Sequence, residues 1–154
     1  EATHQLAFNC GLHKRFSDTP LWLLEGMAVY FESPDLSNSK GWRTLGLVNQ
    51  PRLVQFRSYA RNRPADSLVT LVTTDDRFRN TSTALDAYAE SWAYVYFLIH
   101  RHQKEFIKYL QILSEKGDIA TDTPEQRWKD FTEAFGDDPA SLDREFMRYM
   151  IQLK

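Results

Sequence analysis

The 154-residue chain has a single cysteine, Cys10, and lacks a long apolar run. One cysteine cannot form a disulfide within the chain, and it is compatible with either an oxidising or a reducing compartment. The localisation therefore stays open. A membrane-spanning helix needs about 18 or more consecutive apolar residues, and the most apolar stretch, residues 21–31, is interrupted by Glu25. We expect no membrane span.

The chain also lacks a large net charge and long blocks of one sign. Its 19 basic and 21 acidic residues give a formal charge of -2 and are spread along the sequence. Nucleic-acid-binding and anionic-membrane-binding surfaces depend on clustered lysine and arginine, so neither partner is indicated. With 42% apolar residues, the chain can bury a core of its own, and we expect one domain over residues 1–154.

Turn signals divide the sequence into helices, without a fixed-period repeat. Asp18 or Thr19 can cap a helix whose first residue is Pro20 and which ends at about residue 31 or 32. Residues 35–50 favour a loop, and residues 67–73 are too short a run to distinguish helix from strand. The other expected helices are 1–12, 51–62, 83–102, one ending at Gly117, one starting at Thr123 and ending at Gly136, and one starting near Pro139.

The expected helix over residues 83–102 has the clearest periodicity. Apolar residues recur at three- and four-residue spacing and predict one buried stripe. Glu90 and Arg101 fall outside it. The stripe consists of Leu85, Tyr88, Trp92, Val95 and Ile99.

Two segments carry residue types and spacings typical of a zinc-hydrolase site. The chain opens with EATHQ, residues 1–5, and a histidine before Glu1 would complete an H-E-x-x-H pattern. Residues four apart share a helix face, so two such histidines can hold one metal ion while the glutamate faces a bound water. A catalytic zinc takes three protein ligands and one water. His4 and Glu25 are candidate ligands, and Glu1 is placed as general base.

The spacing allows these residues to meet. A helix ending near Gly11 and a helix starting at Pro20 can form an antiparallel hairpin that brings His4 and Glu25 together. E-x-x-H alone arises by chance, however, so Glu1 and His4 can also be solvated residues of a terminal helix. Glu25 either faces solvent or has a partner, because burying an unpaired carboxylate among apolar residues is costly.

The segments EATHQ (1–5) and WLLEGMAVYFE (22–32) resemble the gluzincin metallopeptidases, which are zincin-like enzymes of the thermolysin and aminopeptidase N type. A closer similarity is to an uncharacterised bacterial family of gluzincin-like domains. In that family HEATHQ, a Pro-x-Trp-Leu-x-Glu-Gly-x-Ala helix and a later Tyr-Ala-x-Ser-Trp-Ala helix occur in this order. The resemblance covers residues 1–32 and 84–100.

The resemblance implies zinc-dependent hydrolysis of a peptide bond in a peptide or protein substrate. It makes Glu1 the catalytic base, His4 the second Zn²⁺ ligand and Glu25 the third. In aminopeptidase-like members a tyrosine on a later helix donates a hydrogen bond to the developing oxyanion. Tyr88 occupies the matching segment, where it can equally be a core aromatic. The implied fold is mainly α: the active-site helix and the C-terminal helical half of a zincin-like metallopeptidase, with the upstream sheet absent.

The first histidine of the pattern is not in the chain, which we interpret as the boundary of a fragment truncated at its N-terminus. With two of three protein ligands, we expect weak zinc binding and negligible catalysis from this fragment. Two alternatives stay open. The domain can be an inactive pseudo-peptidase that holds a peptide or glycan in its cleft, or a helical binding module in which these residues are structural. The oligomeric state is open as well.

Overall fold

A computed structural model describes residues 18–33, 46–116 and 121–154 of the chain. These ranges contain eight helices and no strand, which confirms the mainly-α class. The expected helix over residues 1–12 and most of the expected loop over 35–50 lie outside them. In chain order the helices are α1 (Leu21–Phe31), α2 (Gln50–Ala60), α3 (Ser67–Thr73), α4 (Asp76–Arg79), α5 (Ala84–Arg101), α6 (Gln103–Ser114), α7 (Pro124–Phe135) and α8 (Pro139–Gln152).

Local chemistry sets the start of three helices. Asn49, Thr123 and Asp138 each accept a hydrogen bond from the backbone N–H three residues later, and a proline lies in the first turn of each helix. These are the interactions by which a side chain satisfies an otherwise unpaired N–H of the first turn. None of the described helices has the length and apolar character that crossing a membrane requires.

The start of α1 differs from the prediction. The helix begins at Leu21, one residue after the expected Pro20, and Pro20 itself is the N-cap residue, without a side-chain cap. The backbone N–H of Leu21 instead donates to Oδ1 of Asp75, at 3.2 Å. The capping residue therefore comes from a segment more than 50 residues away in sequence, which the local pattern could not indicate.

Helix α5 lies at the centre of the described structure. It packs against α1, α2, α4, α6 and α8, and every residue from 89 to 98 is buried. The prediction of a single buried stripe is wrong, because Leu85 is 64% exposed whereas Glu90, which falls outside the stripe, is fully buried. A helix surrounded by others is buried on all its faces, so its apolar periodicity does not identify an inner side.

Helix α1 lies against α5 with the two backbones in direct contact. A Cβ atom at Gly26 would lie 2.6 Å from the carbonyl oxygen of Ser91 and 2.7 Å from a methyl group of Val95. No side chain larger than hydrogen fits there. One turn earlier on α1, the indole of Trp22 stacks on Tyr109 with ring centroids 5.9 Å apart. Glycine at position 26 thus sets the separation of the two helices.

We predict that Gly26→Ala lowers the free energy of unfolding by about 1–3 kcal/mol, because the added methyl group overpacks the α1–α5 contact. In an exposed helix the same change would stabilise by about 1 kcal/mol, so the sign of the effect tests the contact. Urea denaturation measures it. Ser58→Ala on the exposed side of α2 is the control, and a stabilising Gly26→Ala would contradict the close approach.

A buried ion cluster joins α5 to its neighbours on another side. The carboxylate of the fully buried Glu90 forms two ion pairs. Its Oε1 lies 2.6 Å from Nε of Arg63, and its Oε2 lies 2.7 Å from Nη2 of Arg77. Arg63 also makes a two-nitrogen contact with Asp143 of α8, both distances being 2.7 Å. Burial acts to lower the pKa of Arg63, but its bonds to Asp143 and the charge of Glu90 outweigh burial and raise the pKa. Guanidinium groups are always charged in proteins, so these arginines need their carboxylates.

We predict that Glu90→Gln lowers the free energy of unfolding by about 3–5 kcal/mol, because it leaves two partly or fully buried arginines without a counter-charge. Glu133→Gln, at an exposed carboxylate of α7, is the matched control and should change stability by less than about 0.5 kcal/mol. Urea denaturation of both variants gives the comparison. Equal effects of the two substitutions would show that the ion cluster contributes nothing specific.

Candidate functional site

Glu25 lies in the middle of α1 and is half-buried, although most of its helix is in the core. Its side chain also interacts with another group of the protein. A carboxylate at the edge of an apolar helix keeps access to solvent while most of its surroundings exclude water. Its neighbours in the buried part of α1 are Trp22, Leu23, Gly26, Met27, Ala28 and Tyr30.

Tyr88 lies near the start of α5 and is also half-buried. Its ring meets the ring of Phe78 edge to face, with centroids 5.3 Å apart. The guanidinium carbon of Arg52 lies 5.7 Å from the ring centroid of Tyr88, a cation–π distance. The ring of Tyr88 is therefore packed on two sides but partly exposed, and its role as an oxyanion donor or as a core aromatic stays a prediction. Tyr88 lies where α2, α4 and α5 meet.

The α1–α5 contact brings together the stretches that carry Glu25 and Tyr88. Glu25 immediately precedes Gly26, which touches Ser91, and Tyr88 lies one turn before Ser91. Ser91 and Val95 of α5 therefore contact α1, and Tyr88 belongs to the turn of α5 just before this contact. Two residues 63 positions apart in sequence thus come from facing stretches of packed helices.

The other predicted site residues, Glu1 and His4, lie outside the described residues. The ligand pair of His4 and Glu25 and the general base Glu1 therefore stay predictions. In the described part of the chain, no group of three or more His, Cys, Asp or Glu is arranged to hold a metal ion. The donor chemistry of Glu25 nevertheless fits zinc, which takes a carboxylate oxygen together with imidazole nitrogens.

The two described histidines have structural partners. Nδ1 of His100 lies 2.8 Å from the carbonyl oxygen of Tyr96, and the two rings stack with centroids 4.1 Å apart. Nε2 of His102 lies 3.1 Å from a carboxylate oxygen of Glu145 on α8. These contacts account for both side chains near the end of α5 without a metal.

A second ion cluster, which the sequence did not reveal, surrounds the start of α1. Arg127 of α7 is buried and bonds both oxygens of Asp75, at 3.0 and 3.2 Å, and one oxygen of Asp18, at 2.9 Å. Burial acts to lower the pKa of Arg127, but the hydrogen bonds and charges of Asp75 and Asp18 raise it. Asp75 is therefore paired with a buried cation. The sequence gives no local signal for the cluster, because Arg127 and its two partners are far apart along the chain.

Comparison with known families gives one finding over most of the chain. Residues 1–120 match the family described as Protein of unknown function (DUF1570). The chain belongs to the DUF1570 family. The matched residues include Glu1, His4, Glu25 and Tyr88, and the expected similarity to an uncharacterised family is confirmed. The family description assigns no activity. No curated protein and no solved structure matches the chain.

Proposed function

We propose that this DUF1570 domain belongs to a zinc-dependent peptidase of the gluzincin type. One observation carries the proposal: a half-buried carboxylate, Glu25, in an otherwise apolar helix that packs directly against the helix carrying Tyr88. The resemblance of residues 1–5 and 22–32 to gluzincin motifs supports a role for Glu25 as a zinc ligand, and that of residues 84–100 supports a role for Tyr88 as a hydrogen-bond donor to the substrate. The substrate class is a peptide or protein, and nothing in the described residues selects an internal or a terminal bond.

Each residue has a separate role in this proposal. Glu25 and His4 bind the zinc ion through a carboxylate oxygen and an imidazole nitrogen. When bound, zinc polarises the substrate carbonyl and lowers the pKa of its water to about 7. The Glu1 carboxylate accepts the proton of the attacking water and transfers it to the leaving amine. The hydroxyl of Tyr88 donates a hydrogen bond to the oxygen on which negative charge develops.

A second candidate is a pseudo-peptidase or helical binding module that keeps the fold without the chemistry. The contacts of Tyr88 support it, because Phe78 and Arg52 hold the ring from two sides as a structural residue would be held. In that case the cleft would bind a peptide or glycan without hydrolysing it. The two candidates differ in zinc binding and turnover.

We predict that the chain extended by one histidine before Glu1 binds about one zinc per chain. Glu25→Gln should weaken zinc binding by more than the roughly 10–100-fold that loss of a supporting hydrogen bond causes, because it removes a direct ligand. Competition with a chelator measures the affinity. Glu133→Gln is the control, and the chain without the added histidine should bind more weakly. Absence of zinc binding near neutral pH would overturn the proposal.

We further predict that Glu1→Gln in the extended chain keeps its zinc but loses peptide hydrolysis, because the base is not a ligand. Tyr88→Phe should lower kcat by about 10²–10³-fold, the usual cost of losing one donor to the oxyanion. Its thermal midpoint should change little. Tyr149→Phe on α8 serves as control. Full activity of the Glu1→Gln variant would exclude the mechanism, and full activity of Tyr88→Phe would exclude only the role of Tyr88.

A further inference from the structure

We propose that Arg127 is a positioning residue for Glu25, acting through Asp75 and Asp18 on the start of α1. The inference rests on the proposed zinc function. The side chain of Arg127 is 6% exposed, and its guanidinium group forms ion pairs with the carboxylates of Asp18 and Asp75. Asp18 lies three residues before α1, and Asp75 caps its first turn.

The cap provided by Asp75 is the part of the cluster that touches α1 itself. The first N–H groups of a helix have no partner within it, and the N-cap residue of α1, Pro20, provides no side-chain cap. Asp75 accepts from the N–H of Leu21 while both of its oxygens bond to Arg127. Its negative charge is also favourable at a helix N-terminus. The position of Leu21 therefore depends on the position of Arg127.

A single turn of helix connects Leu21 to Glu25. In an α-helix the N–H of residue i bonds to the carbonyl of residue i−4, so these two residues are neighbours in the same hydrogen-bonded turn. A shift of Leu21 along the axis moves Glu25 by a similar distance. Metal ligands tolerate little displacement, and residues that orient a ligand contribute to affinity.

The other side of the cluster fixes Asp18 and α7. The second oxygen of Asp18 accepts from the backbone N–H of Asp122 at 2.8 Å. Lys116 pairs with Asp122 and with Asp130, one turn after Arg127 on α7. The Arg127 side chain is thus held in a network that joins the end of α6 to α7. Arg127 is a buried, multiply bonded side chain beside the start of α1.

The chain offers a matched control in Arg63. Its side chain is also 6% exposed and also bonds two carboxylates, Glu90 and Asp143. The bonds of Arg63 go to α5 and α8, however, and not to α1. Arg63→Lys and Arg127→Lys both replace a planar fork of donors by a single ammonium, which cannot hold two carboxylates in the same geometry. Loss of stability alone would affect the two variants alike.

Two measurements separate positioning from stability. The first is amide hydrogen exchange of residues 21–24. Arg127→Lys should raise these exchange rates about tenfold or more by local opening of the helix start, whereas Arg63→Lys should leave them unchanged. The second is the visible spectrum of Co²⁺ bound to the chain extended by a histidine. Arg127→Lys should change the spectrum and weaken Co²⁺ binding by about 10–100-fold, whereas Arg63→Lys should leave both unchanged.

The outcomes distinguish this inference from the proposed function. If the extended chain binds neither Co²⁺ nor Zn²⁺, the zinc function fails, and the link from Arg127 to a metal ligand fails with it. If metal binds but the two lysine variants give the same exchange rates and spectra, only the positioning role is overturned. Should Arg127→Lys not fold, Asp75→Asn provides the same test, with faster exchange and a changed spectrum as the supporting result and no change as the opposing one.

Discussion

The direct contact between the backbones of α1 and α5 is the constraint on which the rest of the structure depends. Because position 26 has no side chain, the carbonyl of Ser91 can approach it more closely than any Cβ would allow. That approach places Glu25 and Tyr88 on facing stretches of two helices. The aromatic contacts of Trp22 and the Asp75 cap then fix α1 along and around its axis. Apolar packing alone would allow a helix to slide or rotate.

Two buried ion clusters lie beside this pair of helices and share one design. Arg63 and Arg127 each join carboxylates from separate segments, and each cluster connects elements distant in sequence. Buried ion pairs contribute little net stability, yet losing one partner is strongly destabilising. We infer that the clusters act mainly as registration devices: the Arg63 cluster orients α5 and α8, and the Arg127 cluster orients α1 and α7.

The sequence predicted those features that local chemistry determines. Proline in the first turn, a side-chain cap at Thr123 and glycine at Gly136 located helix ends to within about two residues, because these interactions involve neighbouring residues. Whether residues 67–73 formed a helix or a strand depended on packing and could not be decided. The burial of Glu90, the exposure of Leu85 and the cap from Asp75 likewise result from contacts between distant segments. Of the candidate site, Glu25 and Tyr88 are described, whereas Glu1 and His4 stay predictions.

The two glutamates of the conspicuous motifs differ in what their carboxylates can still do. Glu90 belongs to the Tyr88–Ala93 segment, but it is fully buried, and both of its oxygens bond to arginines and to the hydroxyl of Ser67. A carboxylate with this many charge-assisted partners has no oxygen available for a metal ion or a substrate. Glu25 is half-buried and remains partly accessible to solvent. Since binding requires an accessible oxygen, Glu25 fits the proposed ligand role better than Glu90, whose ion pairs tie α5 to its neighbours.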